Sequence, residues 1–236
     1  MAQIFERGIY AILDFDHLSP VLPAAPGDER NLWLAYASAA VDNGATALQL
    51  RAKSVPTSSL YLRRLYQELL KEYGARIPIV LNDHIDQAAH FRDAAGCGVH
   101  LGQDDQSPFR ARAVLGADAL VGLSTHTLAQ VEASGQSQAD YIGFGPILST
   151  QSKSDPEPEL GMEALAQACD RRAKPVVAIG GLGIDHVEAV RRSGAQAMAT
   201  ISGWLGPKGQ PWSPGQAGMT MSMMTAIWKV TPGKKL

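Results

Sequence analysis

Cysteine, net charge and long apolar runs are all scarce in this chain. Its 236 residues hold two cysteines, Cys97 and Cys169, far apart and in no CxxC pair. A reduced protein is the natural reading, although a single bridge between the two stays open. Twenty-one Lys and Arg oppose 23 Asp and Glu, a formal net charge of -2. That balance argues against a nucleic-acid surface and against a basic membrane face. No apolar run approaches the roughly 20 residues of a membrane span. The start, MAQIFERGIY, lacks the apolar core of a signal peptide. The sequence therefore reads as a soluble, cytoplasmic protein acting on small molecules, and a homo-oligomer is compatible with it.

What the chain does have is an alternation. Short apolar runs recur at 9–14 (IYAILD), 47–53 (ALQLRAK), 77–83 (IPIVLND), 98–102 (GVHLG), 120–126 (LVGLSTH), 141–147 (YIGFGPI), 175–181 (PVVAIGG) and 197–203 (AMATISG). Most are continuously apolar, as parallel strands buried on both faces must be. Between them lie segments with apolar residues three and four apart, best seen in SSLYLRRLYQELLKE at 58–72. Eight such alternations favour a closed (β/α)8 barrel (an α/β TIM barrel), and the length suits one large domain with a substantial core. The expected division is a barrel over 1–206 and a C-terminal extension over 207–236. In that extension 219–230 reads as a weakly patterned last helix, and 231–236 as a mobile tail. The Pro-containing stretch 15–31 reads as a loop after the first strand, either a lid or a neutral insertion.

Barrel chemistry sits at the carboxyl ends of strands. Gln49, Arg51 and Lys53 alternate along the second strand, so they share one face. Inward cations need anionic partners; a diphosphate supplies them, and a structural salt-bridge row is the bland alternative. Asn82-Asp83 ends the third strand and Gly102-Gln103-Asp104-Asp105 follows the fourth. Two carboxylates there can hold a hard cation such as Mg2+, although Asp83 can equally cap the helix that follows. Ser124-Thr125-His126 ends the fifth strand, where His126 reads as a hydrogen-bonded histidine at a helix start rather than a catalyst. Ser149 to Lys153 after the sixth strand can clamp an anion or merely be solvated. Gly180-Gly181 and Ile201-Ser202-Gly203 close the last two strands, where backbone N–H groups often hold phosphate in this fold. The pattern describes two anion sites in one mouth.

With these motifs in view, the sequence resembles the thiamine-phosphate synthase family over about residues 8–203. The resemblance rests on QLRAK at 49–53, ND at 82–83, GVHLGQDD at 98–105, GLSTH at 122–126, STQSK at 149–153, AIGG at 178–181 and TISG at 200–203. It implies a transferase that joins a hydroxymethylpyrimidine diphosphate to a hydroxyethylthiazole phosphate. It further implies that Gln49, Arg51, Lys53 and Asn82 contact the pyrimidine diphosphate, and that Asp83 and Asp105 hold Mg2+. Ser124 and Lys153 would bind the diphosphate. Thr150, Gln151, Ser152, Gly180, Ile201 and Ser202 would surround the thiazole phosphate. Arg51, Lys53 and Lys153 are the expected catalytic cations. The family often carries VVS where this chain has Thr200-Ile201-Ser202. A thiazole tautomerase of the related barrel family and a non-catalytic barrel that binds thiamine precursors are the rival readings. The carboxylate of Asp105 and the full lysine set argue against the first, and the Gln-Arg-Lys row and the paired aspartates disfavour the second.

Overall fold

Eight parallel strands, hydrogen-bonded in chain order, close on themselves as a barrel. The computed structural model describes residues 6–18, 28–54, 59–150 and 158–234. The strands are β1 (Gly8–Asp14), β2 (Ala47–Arg51), β3 (Ile79–Asn82), β4 (Cys97–Leu101), β5 (Leu120–Thr125), β6 (Tyr141–Phe144), β7 (Val176–Ala178) and β8 (Ala197–Thr200). Closure is made by β8 against β1, with Gly8 opposite Ala197. β1 and β4 start one residue before the start read from sequence, β7 one and β3 two residues after it, the other four at it, and the seven after β1 stop short of the expected end. The sequence pattern runs on because the residues that follow stay apolar or point inward, while the backbone has already left the ladder.

Side-chain alternation sorts each strand into two cores. Ile9, Ala11 and Leu13 of β1 face outward and pack with the helices. Tyr10 and Ile12 face inward and join Ala47, Val80, Tyr141, Val177 and Ala199 in the barrel interior. The outer layer is made by α1 (Phe15–Leu18), α2 (Asp28–Val41), α3 (Leu60–Tyr73), α4 (Ile85–Ala88), α5 (Pro108–Leu115), α6 (Leu128–Ala133), α7 (Gly161–Arg171), α8 (Val187–Ser193), α9 (Ser202–Leu205) and α10 (Pro214–Val230). In α3, Leu62, Leu65, Tyr66, Leu69 and Leu70 form one buried stripe, and Ser59 caps the first turn by accepting the Leu62 N–H at 3.3 Å. Each such leucine contributes about 1.5–3 kcal/mol by leaving water.

Two helices differ from the sequence pattern. The first strand runs directly into α1, because the Asp14 carboxylate accepts the His17 N–H at 3.1 Å and so satisfies a first-turn donor. Residues 19–27 of the expected loop lie outside the described residues. The last helix begins at Pro214, five residues before the expected start, with a reciprocal Ser213–Gln216 cap. Gly215 and Gly218 weaken its sequence signal. Gly218 is where α10 approaches α2: a Cβ there would stand 3.0 Å from Asn43 Nδ2 and 3.5 Å from Ala39 Cβ. Residues 235–236 of the expected tail lie outside the described residues. Cys97 and Cys169 are free and buried. Among the described residues no helix is long and apolar enough to cross a membrane.

Candidate active site

A cavity of about 640 Å³ opens at the carboxyl ends of the strands. A second hollow of about 600 Å³ lies at the opposite end, around Gly8, Thr46, Pro78 and Leu120, where this architecture keeps residues for stability rather than chemistry. The carboxyl-end cavity is lined by Gln49, Arg51, Lys53, Asn82, Asp83, Asp105, Ser124, Thr150, Gly180, Ile201 and Ser202. Gln151, Ser152 and Lys153 lie outside the described residues.

The cations of β2 are partnered in ways the sequence did not reveal. Arg51 pairs with Asp14, its register neighbour on β1. Asp14 is 2% exposed and Arg51 12%, so this is a buried ion pair at the cavity wall. Lys53 lies just past the strand and is half exposed; its Nζ stands 3.1 Å from Asp83 Oδ2. Gln49 is buried and donates from Nε2 to the Tyr10 hydroxyl at 3.1 Å.

Asp83 sits in a conformation that few residues other than glycine adopt, with φ 64°. Aspartate tolerates the left-handed region better than most. Its N–H is fixed by the His100 carbonyl at 2.8 Å, which turns the chain out of β3. It does not cap α4, whose N-cap is His84. The turn aims the Asp83 carboxyl at Asp105, whose Oδ2 accepts the Gly102 N–H at 2.7 Å. Burial, and then the neighbouring Asp105, push the Asp83 carboxyl up to about 6 against the pull of Lys53. Burial acts upward on Asp105 too, but the bond from Asp83 and the Gly102 N–H outweigh it and hold that carboxyl below its ordinary value. The two carboxyls thus share a proton and titrate as a pair.

This sharing has a consequence for stability. Asp83 holds its proton to about pH 6 in the fold but only to about pH 4 when unfolded. The folded state therefore binds more protons in that window, and stability is lost as pH rises through it. Metal-free protein should lose melting temperature relative to Asp83→Asn between about pH 4 and 7. Parallel melting curves for the two proteins across that range would contradict the shared proton.

Behind the cavity lies a floor of hydrogen-bonded groups. His100 contacts the Tyr141 hydroxyl through Nδ1 and Ser124 Oγ through Nε2, both at 3.0 Å. Tyr10 and Tyr141 hydroxyls meet at 3.0 Å. Tyr10, Asp14, His100 and Tyr141 were not singled out from sequence. Strand alternation was the available signal: His100 shares its face with the glycines at 98 and 102, and Asp14 with Tyr10 and Ile12. His126 is tied by Nδ1 to the Gly145 carbonyl at 2.5 Å, and its N–H donates to Gln130 Oε1 at 2.6 Å. That matches its reading as a histidine at a helix start.

The far wall is backbone. Gly180 and Gly181 have φ of 101° and 66°, and a Cβ on Gly181 would strike the Ser149 carbonyl oxygen at 2.4 Å. Only glycine fits there. Ile201 and Ser202 open the short helix α9 beside them, and the Trp204 indole pins α9 to the Ile12 carbonyl at 3.2 Å. First-turn N–H groups and glycine backbone together can receive a phosphate.

Known proteins are similar to this chain in sequence and in fold. The family described as thiamine monophosphate synthase matches residues 21–204. A thiamine-phosphate synthase of Anaeromyxobacter dehalogenans is 40% identical over 173 residues, covering 73% of this chain and 76% of that protein. One from Koribacter versatilis is 35% identical over 198 residues, covering 84% and 88%. The thiamine phosphate pyrophosphorylase structure from Pyrococcus furiosus superposes with a TM-score of 0.70 at 25% identity, over 96% of this chain and 97% of that one. A barrel whose mouth sets paired cations and carboxylates opposite a glycine-walled cradle, matched over most of its length by these relatives, belongs to the thiamine-phosphate synthase family.

Proposed function

We infer that the chain condenses 4-amino-2-methyl-5-hydroxymethylpyrimidine diphosphate with hydroxyethylthiazole phosphate, giving thiamine phosphate and diphosphate. The observation that carries this reading is the pairing, in one cavity, of Arg51, Lys53, Asp83 and Asp105 with Gly180, Ile201 and Ser202 across from them. One side suits a diphosphate and the other a monophosphate.

In this assignment Gln49 and Asn82, both buried, orient the pyrimidine. Arg51, Lys53, Ser124 and Lys153 bind its diphosphate. Thr150, Gln151, Ser152, Gly180, Ile201 and Ser202 surround the thiazole phosphate. Asp83 and Asp105 would hold Mg2+. The donor set fits that ion: two carboxylates, hard oxygen ligands only, one of them pushed up to about 6 by burial beside the other. Among the described residues no group of three His, Cys, Asp or Glu is gathered; with Asp83 and Asp105 as its protein ligands, Mg2+ would take its remaining oxygens from substrate and water, as it prefers. When bound, Mg2+ supplies charge neutralisation at the diphosphate oxygens.

The reaction breaks the C–O bond at the pyrimidine methylene and forms a C–N bond to the thiazole nitrogen, with the diphosphate leaving on the C–O electron pair. Negative charge grows on the departing group as the bond stretches. Fixed guanidinium and ammonium groups stabilise that charge more in the transition state than in the ground state. The electron-rich aminopyrimidine ring shares the positive charge left on the methylene carbon. The thiazole nitrogen has no proton to lose, so no protein base is required. Holding both substrates in one cavity supplies the proximity contribution. A tautomerase would need neither diphosphate nor cation, whereas this cavity gathers Arg51, Lys53, Asp83 and Asp105.

Two buried free thiols suit a reducing, cytoplasmic setting. Incubating the protein with both substrates and Mg2+ should yield thiamine phosphate and diphosphate in equal amounts. Absence of both products from folded protein would favour a silent, precursor-binding barrel.

A further inference from the structure

Three arginines gather at the end of the barrel away from the catalytic cavity. Strands β7, β8 and β1 lie side by side there, with Val177 and Gly8 both opposite Ala197. Arg7 immediately precedes β1, Arg172 follows α7 ahead of β7, and Arg191 stands in the last turn of α8 ahead of β8. Nearby cations have carboxylate partners: Arg171 meets Glu132 at 3.5 Å, Arg192 meets Glu188 at 3.4 Å and Lys234 meets Asp170 at 2.5 Å. Among the described residues no carboxylate pairs with Arg7, Arg172 or Arg191. Burial, and then Arg191 and Arg172, hold the Arg7 guanidinium below its ordinary value.

The donors around Arg191 lack acceptors. Its Cζ lies over the Trp228 ring, 5.2 Å from the ring centre. Gly233 packs so close that a Cβ on it would stand 3.0 Å from the same Cζ. Arg191 Nε, Arg191 Nη1 and Trp228 Nε1 are buried N–H groups without a hydrogen-bond partner. Leaving such groups unpaired is costly. All three are donors beside a cluster of positive charge, and the group that matches them is a negatively charged oxygen. Trp228, 3% exposed, and Arg7 both line the hollow of about 600 Å³ around Gly8 and Thr46, which has room for a small solute. Glu6 lines it too but is exposed. Three guanidinium groups match a phosphoryl dianion better than a carboxylate, whose single charge leaves two of them uncompensated.

We propose that Arg7, Arg172, Arg191 and the Trp228 indole form an anion site, separate from the catalytic cavity, that takes a phosphoryl dianion. Free phosphate and the phosphate of a small monoester are its two sources. The site stands independently of the synthase reading. A dianion held there ties β1, α7, α8 and α10 together, and it adds stability as its concentration rises above the dissociation constant.

Phosphate can also enter the glycine-walled cradle at the other end, so the test needs a local readout. The intact protein is titrated with inorganic phosphate at constant ionic strength, and 15N NMR follows the Arg191 Nε–H and the Trp228 Nε1–H. Both signals should shift and saturate together, and this wild-type titration needs no variant to fold. In the double variant Arg7→Gln with Arg172→Gln the midpoint should rise about ten- to hundredfold, as expected on losing charge-assisted hydrogen bonds. Signals that never saturate would mean an adventitious ion only and overturn the site. An unchanged midpoint in the double variant would also overturn it, because the shift would then report on the distant cradle. Ribose 5-phosphate in place of phosphate distinguishes the sources. Tighter binding assigns a monoester with its body in the hollow, and equal or weaker binding assigns free phosphate.

Discussion

Asp83→Asn should lower synthase turnover at least about a hundredfold, about 2.7 kcal/mol of transition-state stabilisation, and leave the barrel folded. Asparagine is the informative replacement. Position 83 has φ 64°, and asparagine enters the left-handed region at least as readily as aspartate, whereas alanine would add backbone strain there. The substitution therefore removes charge while keeping volume and turn. What is lost is half of the carboxylate pair that would hold the cation beside the leaving group, and losing one such electrostatic contact typically costs two to three orders of magnitude. The requirement for Mg2+ should move with it, so the half-saturating concentration should rise steeply in Asp83→Asn. Lys53 also loses its partner at 3.1 Å, but it is half exposed and water replaces that contact at little cost. Steady-state rates over a Mg2+ titration decide the matter. A variant with near-normal rate and unchanged magnesium dependence would take Asp83 out of the metal site.

How much of this site could be read from the chain depends on whether local order or long-range register carried it. The barrel was legible because eight buried strands repeat the same apolar signature. Gln49, Arg51 and Asn82 were legible because they sit at strand ends, where alternation fixes their direction without knowledge of any neighbour. Asp14 was not. It matters because the β1–β2 register sets it opposite Arg51, and no local pattern contains that register. The Tyr10–Tyr141 contact spans 131 residues and is visible only when the barrel closes. Tyr141 looks, in sequence, like one more apolar strand residue. Asp83 was read from its place at the end of the third strand, but the left-handed turn that aims it at Asp105 depends on a hydrogen bond to the next strand. The start of α10 was hidden for another reason: Gly215 and Gly218 lower helix propensity, while packing against α2 more than compensates.

Register also decides what becomes of Arg51. The expectation from sequence was that an inward arginine needs an anion and that a diphosphate supplies it. Asp14 already supplies one, so Arg51 has a structural task beside the diphosphate contact proposed for it, and the two can be separated. Arg51→Met should destroy the pyrimidine diphosphate site, lowering kcat/KM at least about a hundredfold, as expected for loss of a charge that grows in importance as the leaving group departs. It should also strand Asp14, 2% exposed, with no counter-charge. Breaking a buried pair from one side costs about 3–5 kcal/mol, which for a domain of this size lowers Tm by about 6 °C or more. Adding Asp14→Asn should then recover most of the melting temperature. The amide removes the stranded charge and still offers an oxygen to the His17 N–H, the bond that starts α1 at 3.1 Å. Activity should stay lost in the double variant, because nothing has restored a cation to the cavity. Thermal melts and kcat/KM for the three proteins make the comparison. If the second substitution returned activity along with stability, the loss in Arg51→Met would have come from a damaged fold, and Arg51 would have no direct part in holding the diphosphate.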